Sequence, residues 1–511
     1  LILGAIAKII LEEARYNKSF VDAEVEGLDA LKATLAPFDP GKVAAHAGID
    51  SEQLVKAAHM LSGWKRGSIS VGTGPNMSGF GNATEYLNLA LTSLMGHWRQ
   101  AGEVKQNSGV FITPSPAIAA SPGPMPAWGF GRKMRVRDLE ESASGLPTGA
   151  LADEILTPGE GQIKALICLG GNPMLAWPDQ IKTYEAMQAL DLLVCFDPRM
   201  SKTCELADYI IAPKLHYEIK GCTAAPELFG MFGAGWGFEG PYGQVSDPIL
   251  EVPEGSDLCE EYQFIHRVAT EMNKTLNVKS FALFGDPQEQ DRQATPVPPG
   301  ETPDPMASWS ISLRGSPVAI SDAFDDPEAH RGKMFDRPPT TVEPKPDDWQ
   351  GKLDIGNPSM LAELEEISQR LAQSDSLDDQ DYPFRMISRR INEVLNSSWH
   401  EDPVQSKRVG HHPAFIHPDD LADLGLSDGQ VVEIESARAM ISCVAKAASE
   451  VRPGCVAIPH SWGTSPNEKE DPLGQGGNTG RLSFSDRDFD RRTGIPRMSS
   501  IPIRVRAAAA G

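Results

Sequence analysis

The sequence predicts an α/β protein: doubly wound, mostly parallel sheets followed by a smaller C-terminal β-barrel. Three observations carry this. Strand, turn, helix and strand patterns follow one another at close spacing over residues 161–215, the grammar of a parallel sheet with crossover helices. A related grammar runs through residues 1–105. From Phe384 onward the pattern changes to short β runs, RMISRR, QVVEIES, AMISCVAKA, CVAIPH and SIPIRVR, which suit a barrel.

Composition frames these elements. The 511 residues carry 70 acidic and 47 Lys or Arg side chains, a net charge of −23, with 40% hydrophobic and 23% charged residues. That is a globular composition at multi-domain length. Three units are expected: 1–105, 106–375 and 383–511. The acidic excess reads first as a solvated surface and argues against nucleic-acid binding through a broad basic face. It leaves room for an anionic cofactor held by local N–H groups and a few arginines. No stretch approaches the roughly 18 apolar residues of a membrane helix. The opening LILGAIAKIILEEARY has no basic region before it and no cleavage site after it. Lys8 interrupts it, and Ile2, Ile6, Ile9 and Ile10 fit one helical face. Because the sequence opens at Leu1 in a helical pattern, the natural chain is expected to begin upstream. The cytoplasm is the expected location, with the periplasm as the alternative. The cysteines at 168, 195, 204, 222, 259, 443 and 455 form no Cys-x-x-Cys and no zinc-like or ferredoxin-like spacing. They read as buried thiols in a reducing compartment, and no metal ligand is named.

Taken in order, HAGIDSEQLVKAAHMLSGW offers Asp50 or Ser51 as a helix N-cap and an apolar spacing through Leu54, Ala58 and Leu61. RGSISVGTGPNMSG reads as a strand entering a glycine turn, and NATEYLNLALTSLMGHW as the following helix. Residues 113–131 read as loop. A cleaner unit follows: a strand at KALICL, a turn at GGNP, a helix at DQIKTYEAMQAL, a strand at DLLVCFD, a short helix near KTCELA and a strand at YIIAP. The Pro-, Asp- and Gln-rich tract 286–348 reads as an extended surface excursion. The acidic SDSLDDQDYP reads as a linker, PDDLADLGL as a short helix within the barrel region, and the closing AAAAG as a frayed tail.

The glycine turns admit several ligands. Gly72-Thr73-Gly74 begins a dinucleotide fingerprint, but Met77 stands where its third glycine belongs, and no P-loop is present. GLSDG at 425–429 matches a hydrolase elbow in letters only. Helix, turn and strand come in the wrong order to present Ser427. What remains is glycine turns at the carboxyl ends of parallel strands, where such sheets bind ligands. Gly170-Gly171-Asn172-Pro173 can place N–H groups near a phosphate, and Asp197 ends the next strand on the same edge, able to accept from a guanine edge or ribose hydroxyls. The competing reading is a capped turn and an N-cap aspartate.

The order of these motifs resembles the molybdopterin oxidoreductases of the dimethyl sulfoxide reductase and formate dehydrogenase superfamily, along nearly the whole chain. LICLGGNP followed by LLVCFDPRMSKTCELADYIIAP carries the most specific likeness, with Thr203, Ala207, Asp208 and Pro213 in place. VGTGPNMSGFGNATEYLNLALTSLMGHWRQAGE is similar to an earlier strand-turn-helix of the family, although Ala101-Gly102-Glu103 stands where a richer Gly/Pro run is usual. EIKGCTAAPE departs from the family pattern near the substrate funnel. RMISRRINEVLNSS, HPDDLADLGLSDGQVVEIESARAMISCVAKA, VRPGCVAIPHSWG and GGNTGRLS resemble the family's cofactor-binding barrel, which implies a six-stranded, double-psi type. DIGNPSMLAELEE echoes GGNPMLA in grammar and is not taken as a second nucleotide site.

The resemblance implies a bis(molybdopterin guanine dinucleotide) cofactor carrying molybdenum or tungsten. Its candidate holders here are Gly72, Gly74, Asn76, Gly170, Gly171, Asn172, Pro173, Asp197, Arg199 and Thr203, with Ser388, Arg389, Arg390, Asn396, Ser397, His460, Trp462, Asn478 and Thr479 from the barrel region. Each also has a structural reading, such as an ion pair for Arg389 or Arg390 or a satisfied histidine for His460. The resemblance further implies two-electron redox of a small substrate and an electron-transfer partner. The [4Fe-4S] cysteines and the metal ligand would lie N-terminal to the matched region, so no catalytic residue is named. A scaffold without cofactor and a non-redox, hydratase-like member are the alternatives. The glycine- and aromatic-rich run 230–243 is a candidate lid or simply loop packing.

Overall fold

Three parallel strands, Ala165–Leu169, Leu192–Phe196 and Tyr209–Ile211, lie side by side in that order. The middle strand is the most enclosed, with Leu193, Val194, Cys195 and Phe196 buried. Cys168, Leu193 and Cys195 meet Met187 of the helix Gln180–Ala189 on one face. On the other, Phe264 of the helix Glu261–Glu271 sets its ring edge-on to Phe196 at 4.7 Å. Helices on both faces make this sheet doubly wound. The computed structural model describes all residues except 108, 115–116, 122–127, 143–144, 232–239, 281–292, 373–380, 401 and 509–511. The centre of the candidate lid, most of the acidic linker and the end of the tail lie outside the described residues.

The N-terminal region is built from the helices Ile2–Glu12, Leu28–Leu35, Pro40–Ala47, Ser51–Gly63 and Gly81–Leu94, joined by the returning helix Pro358–Ala372. Ile10, Leu31, Leu35, Phe38, Leu91, Leu94 and Leu364 form its centre. Asp50 caps the Ser51–Gly63 helix by accepting the Glu52 and Gln53 N–H groups. On the first helix Ile6, Ile9 and Ile10 are buried, while Ile2 sits exposed at its start. Val25–Glu26 pairs in parallel with Leu353–Asp354, so the DIGNPSMLAELEE segment is a strand, turn and helix, as its grammar implies.

Three expectations need correction. Residues 66–72 form no strand; the Ile69 carbonyl accepts from the Asn88 side chain instead of a neighbouring backbone, so alternation there had no sheet to serve. The Gly/Pro/Ala-rich stretch ends in a strand, Trp128–Lys133, antiparallel to Glu140–Ser142. The tract 286–348 is no bare excursion among its described residues: Leu313, Ile320, Ala323 and Ala329 close a core with Val110, Phe111 and Val245. Its apolar residues are sparse in sequence but converge in space.

The C-terminal region is a closed six-stranded barrel. Around it run Phe384–Arg389, Cys455–Pro459, Pro413–Ile416, Met440–Ala447, Val431–Glu435 and Ile501–Ala507. The first two pair in parallel, as do Pro413–Ile416 and Met440–Ala447. Met386, Ile416, Val432, Ile434, Ile441, Val456, Ile458 and Ile503 fill the interior. Pro413–Ile416 is the strand the sequence patterns did not announce, four residues behind a proline start. GLSDG at 425–429 joins the helix Pro418–Asp423 to the strand Val431–Glu435, the order that rules out an elbow.

Candidate functional site

The Ala165–Leu169 strand delivers Gly170 at φ +59°, a left-handed turn that suits glycine, and a Cβ there would meet open space, while one at Gly171 would touch the Leu169 carbonyl and Pro173 at 4.0 Å. This turn opens onto a cavity of about 670 Å³ between the sheet edge and the barrel. One wall comes from residues 170–172 and 196–202 with Lys214, His216 and Glu261; the other comes from residues 397–400, 405–406 and 409–411 with Val394, Trp462, Gly463 and Gln475. Gly463, at φ +104°, packs so closely on the 477–478 backbone that a Cβ would come within 2.6 Å of the Asn478 nitrogen. The sheet end of the cavity carries charge, through Asp197, Arg199, Lys202, Glu205, Lys214 and Glu261. The barrel end carries imidazoles, tryptophans and hydroxyls.

The sequence candidates fall into three roles. Gly170, Gly171, Asn172, Asp197, Arg199, Ser397 and Trp462 line the cavity. Asp197 Oδ1 accepts the Arg199 N–H at 3.0 Å, closing its own turn. The Gly170 N–H is taken by the Phe196 carbonyl at 2.9 Å, so it is not a free phosphate donor. The Arg199 guanidinium lies 5.8 Å from the Trp399 ring at the lip.

A second group holds the first in place. Thr203, fully buried, donates to Asn172 Oδ1 at 2.9 Å and accepts the Met174 N–H at 3.1 Å. Pro173 opens the short helix Pro173–Ala176. Asn478 Nδ2 donates to the Leu175 and Trp462 carbonyls at 3.0 and 2.7 Å, stapling turn to barrel, while Oδ1 caps the Thr479–Leu482 turn through the Gly480 N–H. Asn396, at φ +53°, gathers Arg390 Nη1 and His460 Nε2 on its Oδ1 and His400 Nε2 on its carbonyl. Arg389 faces the Phe415 ring at 3.8 Å and Glu450 at 3.7 Å.

A third group lies on a second seam. Gly72, Gly74 and Asn76 belong to the short helix Thr73–Asn76 and its cap, and the Met77 carbonyl accepts the Met498 and Ser499 N–H groups. Ser388 reaches the same place, donating Oγ–H to the Met498 carbonyl at 2.8 Å. Asn76 Nδ2 donates to Glu85 at 3.3 Å, which leaves its buried Oδ1 without a partner among the described residues; Arg497 Nε is in the same position. In the departing EIKGCTAAPE segment, Glu227 is buried and accepts the N–H groups of Val110, Phe111 and Ile112 at 2.8, 2.8 and 2.9 Å. Burial pushes its carboxyl above the usual range.

At the barrel end of the cavity sequence reasoning named Ser397 and Trp462 but missed the residues packed around them. His400 and His412 lie against Trp462 at 4.3 and 4.9 Å between ring centroids, the latter nearly parallel at 8°. Burial pulls His400 down to about 4 and His412 down to about 3, so both are neutral at ordinary pH. His412 Nε2 donates to the Pro459 carbonyl at 2.7 Å. Gln405 also lines the cavity, and its buried Oε1, like Trp462 Nε1, has no partner among the described residues. The HH dipeptide at 411–412 was visible; its meeting with Trp462 across 50 residues was not. Among the described residues no cluster of His, Cys, Asp or Glu is arranged to hold a metal, and no helix is long and apolar enough to cross a membrane.

Residues 4–223 match the molybdopterin oxidoreductase family, and residues 384–502 match the molydopterin dinucleotide binding domain. Acetylene hydratase of Syntrophotalea acetylenica is 21% identical over 98% of this chain and 68% of its own length. Trimethylamine-N-oxide reductase of Haemophilus influenzae is 22% identical over 93% and 60%, and formate dehydrogenase H of Escherichia coli 22% over 90% and 60%. The chain thus spans between 60% and 68% of these relatives' length. The solved structure of acetylene hydratase from Pelobacter acetylenicus shares the fold at a TM-score of 0.69 and 17% identity, over 99% of this chain and 70% of that one. With the two matched regions meeting across one cavity, the chain belongs to the molybdopterin oxidoreductases of the dimethyl sulfoxide reductase and formate dehydrogenase superfamily, an enzyme family, and its barrel is a molybdopterin dinucleotide-binding domain.

Proposed function

We propose that this chain holds a bis(molybdopterin guanine dinucleotide) with molybdenum or tungsten, for two-electron redox of a small substrate. The observation that carries the reading is the seam cavity, walled by residues from both matched regions. The residues present fit such a group. The cavity is of ligand size, its glycine turn leaves open space, and Trp462 Nε1 and Gln405 Oε1 are buried polar atoms awaiting partners. Gly170, Gly171, Asn172, Asp197 and Arg199 would hold the guanosine end of one dinucleotide. Ser397, His460 and Trp462 would face its pterin. Pro173, Thr203, Asn478 and Thr479 would keep that wall in register. Gly72, Gly74, Asn76 and Ser388 would serve the second dinucleotide, with the unpartnered Asn76 Oδ1 and Arg497 Nε as support.

When bound, the group supplies a metal that exchanges two electrons, and the protein's part is to orient and insulate it. An iron–sulfur cluster held outside this sequence would pass the electrons to a partner subunit in the cytoplasm. The units 1–105, 106–375 and 383–511 would divide the binding, with the Pro358–Ala372 helix lent to the first. Similarity to acetylene hydratase along 98% of the chain favours hydration without net redox as the second reading.

The test is elemental and nucleotide analysis of protein purified from its native source. About one molybdenum or tungsten per chain, with GMP released on acid hydrolysis, is expected. Iron at about four atoms per chain together with a reducible substrate supports redox. Metal with activity insensitive to electron acceptors supports hydration. Neither metal nor GMP would leave a scaffold.

A further inference from the structure

A second hollow, of about 820 Å³, shares no lining residue with the seam cavity. It lies between the helices Lys18–Glu24 and Gly81–Leu94, the returning segment at 353–355 and a strap at residues 118–121. Backbone holds the strap: the Ala119 N–H donates to the Glu343 carbonyl at 2.8 Å, and the Glu343 N–H to the Ala117 carbonyl at 2.7 Å. Phe20, Tyr86, Leu89, Trp98, Ile118 and Leu353 supply apolar lining, and Leu89, Trp98 and Ile118 among them stand exposed. Large exposed apolar side chains converging on one ligand-sized hollow mark a binding surface. The polar lining decides what fits. Lys345 Nζ donates to both Glu24 carboxylate oxygens at 3.0 and 2.8 Å, Tyr86 Oη donates to the Ile355 carbonyl, and Trp98 Nε1 donates to Ser93 Oγ at 3.0 Å. Arg99 also lines the hollow, and its guanidinium has no hydrogen-bond or ion-pair partner among the described residues. Burial, and then the charges of Arg99 and Arg337, hold the Lys105 ammonium below the usual lysine range, so the potential around Arg99 is positive. On the 353–355 wall, Asp354 Oδ1 accepts the Gly356 N–H at 2.7 Å, and its carboxylate disfavours a second negative charge in the ligand.

We propose that this hollow binds a monoanionic amphiphile, an aromatic or alkyl carboxylate whose apolar body covers Leu89, Trp98 and Ile118 and whose carboxylate meets Arg99. A guanidinium fork matches a carboxylate with two parallel N–H···O bonds, and covering the exposed side chains removes apolar surface from water. A neutral amphiphile leaves the guanidinium unanswered, and a cation is repelled by it. The site does not depend on the metal cofactor, because the two cavities have no residue in common.

The experiment is calorimetric titration of the protein, purified from its native source, with 4-phenylbutyrate, 4-phenylbutan-1-ol and 4-phenylbutylammonium. The acid should bind once per chain and at least about tenfold more tightly than the alcohol, with the ammonium weakest. Added salt should weaken the acid and leave the alcohol unchanged. Arg99→Gln should bring the acid down to the level of the alcohol while changing the alcohol less than about twofold. Ile118→Ser should weaken acid and alcohol alike. Both substitutions fall on exposed side chains, so the fold is kept, and matching urea midpoints verify it. No saturable binding of the acid, equal affinity for acid and alcohol, or an unchanged preference in Arg99→Gln overturns the site. Uptake of the protein by phosphatidylglycerol vesicles without binding of the free acid also overturns it, in favour of a lipid surface.

Discussion

Asp197 Oδ1 accepts the Arg199 N–H, so one carboxylate oxygen closes the turn that follows the Leu192–Phe196 strand. Turn closure and ligand binding therefore share a side chain and can be separated by substitution. Asp197→Asn keeps an acceptor and removes the charge; Asp197→Ala removes both. The expected result is stability within about 0.5 kcal/mol of wild type for the first and about 1 kcal/mol lower for the second. Released GMP per chain should fall in both. Unchanged occupancy in both variants would take Asp197 out of the site. Thr203 has a different character, because it lies behind the cavity wall: its hydroxyl donates to Asn172 and accepts from Met174 N–H in a fully buried place. Thr203→Val strands both partners and should lose about 2–4 kcal/mol in urea unfolding. A loss under about 1 kcal/mol would mean that the turn re-pairs without it.

Elements whose pattern is local were legible, and those that depend on distant partners were not. The Ala165–Leu169 strand, its glycine turn and the Gln180–Ala189 helix announce themselves by apolar runs and a capping aspartate within one stretch. Residues 66–72 alternate like a strand, yet alternation alone cannot show that a neighbour exists. Pro413–Ile416 is short and begins at a proline, and only its two barrel neighbours make it a strand. The site divides in the same way: the GGNP turn and Asp197 lie within one motif, whereas Gln405, His400 and His411 reach the cavity by tertiary approach, with His412 packed behind Trp462. Barrel and sheet are joined by side chains of this second kind. Arg481 bonds Glu470 at 2.6 Å, Gln180 at 3.0 Å and the Thr464 carbonyl at 3.2 Å, almost wholly buried. Arg481→Met leaves Glu470 without its cation and should lose about 3–5 kcal/mol, most of it recovered by adding Glu470→Gln. Denaturant midpoints of the two variants check this, and additive losses would contradict it.

At the scale of the whole molecule, the cavity is a joint, walled on one side by a sheet edge and on the other by a barrel with its own core. A ligand there touches both, so its binding energy is shared between two cooperative units. Calorimetry should show the holoprotein melting in one transition and the cofactor-stripped chain melting earlier, with the barrel separated from the rest. Identical melting of the two forms would mean that the cavity does not couple the units. The barrel makes the protein sensitive to acid. His412 is buried and neutral in the folded barrel down to about pH 3, whereas an unfolded histidine takes its proton near the ordinary 6.5. Between these values the unfolded chain binds the extra proton, so folding stability is full above about pH 6.5 and declines as the pH falls. His412 alone contributes a slope of about 1.4 kcal/mol per pH unit, and His400 adds to it in the upper part of the window, from 6.5 to about 4. Between about pH 6.5 and 5 most native carboxylates are still ionised, which makes this the interval in which histidine dominates. His412→Phe, which keeps a ring against Trp462, should make the stability curve shallower by about one proton there, even though its absolute stability is lower. Urea midpoints measured at several pH values in that interval decide it: equal slopes for wild type and variant would show that His412 gains its proton without unfolding the barrel.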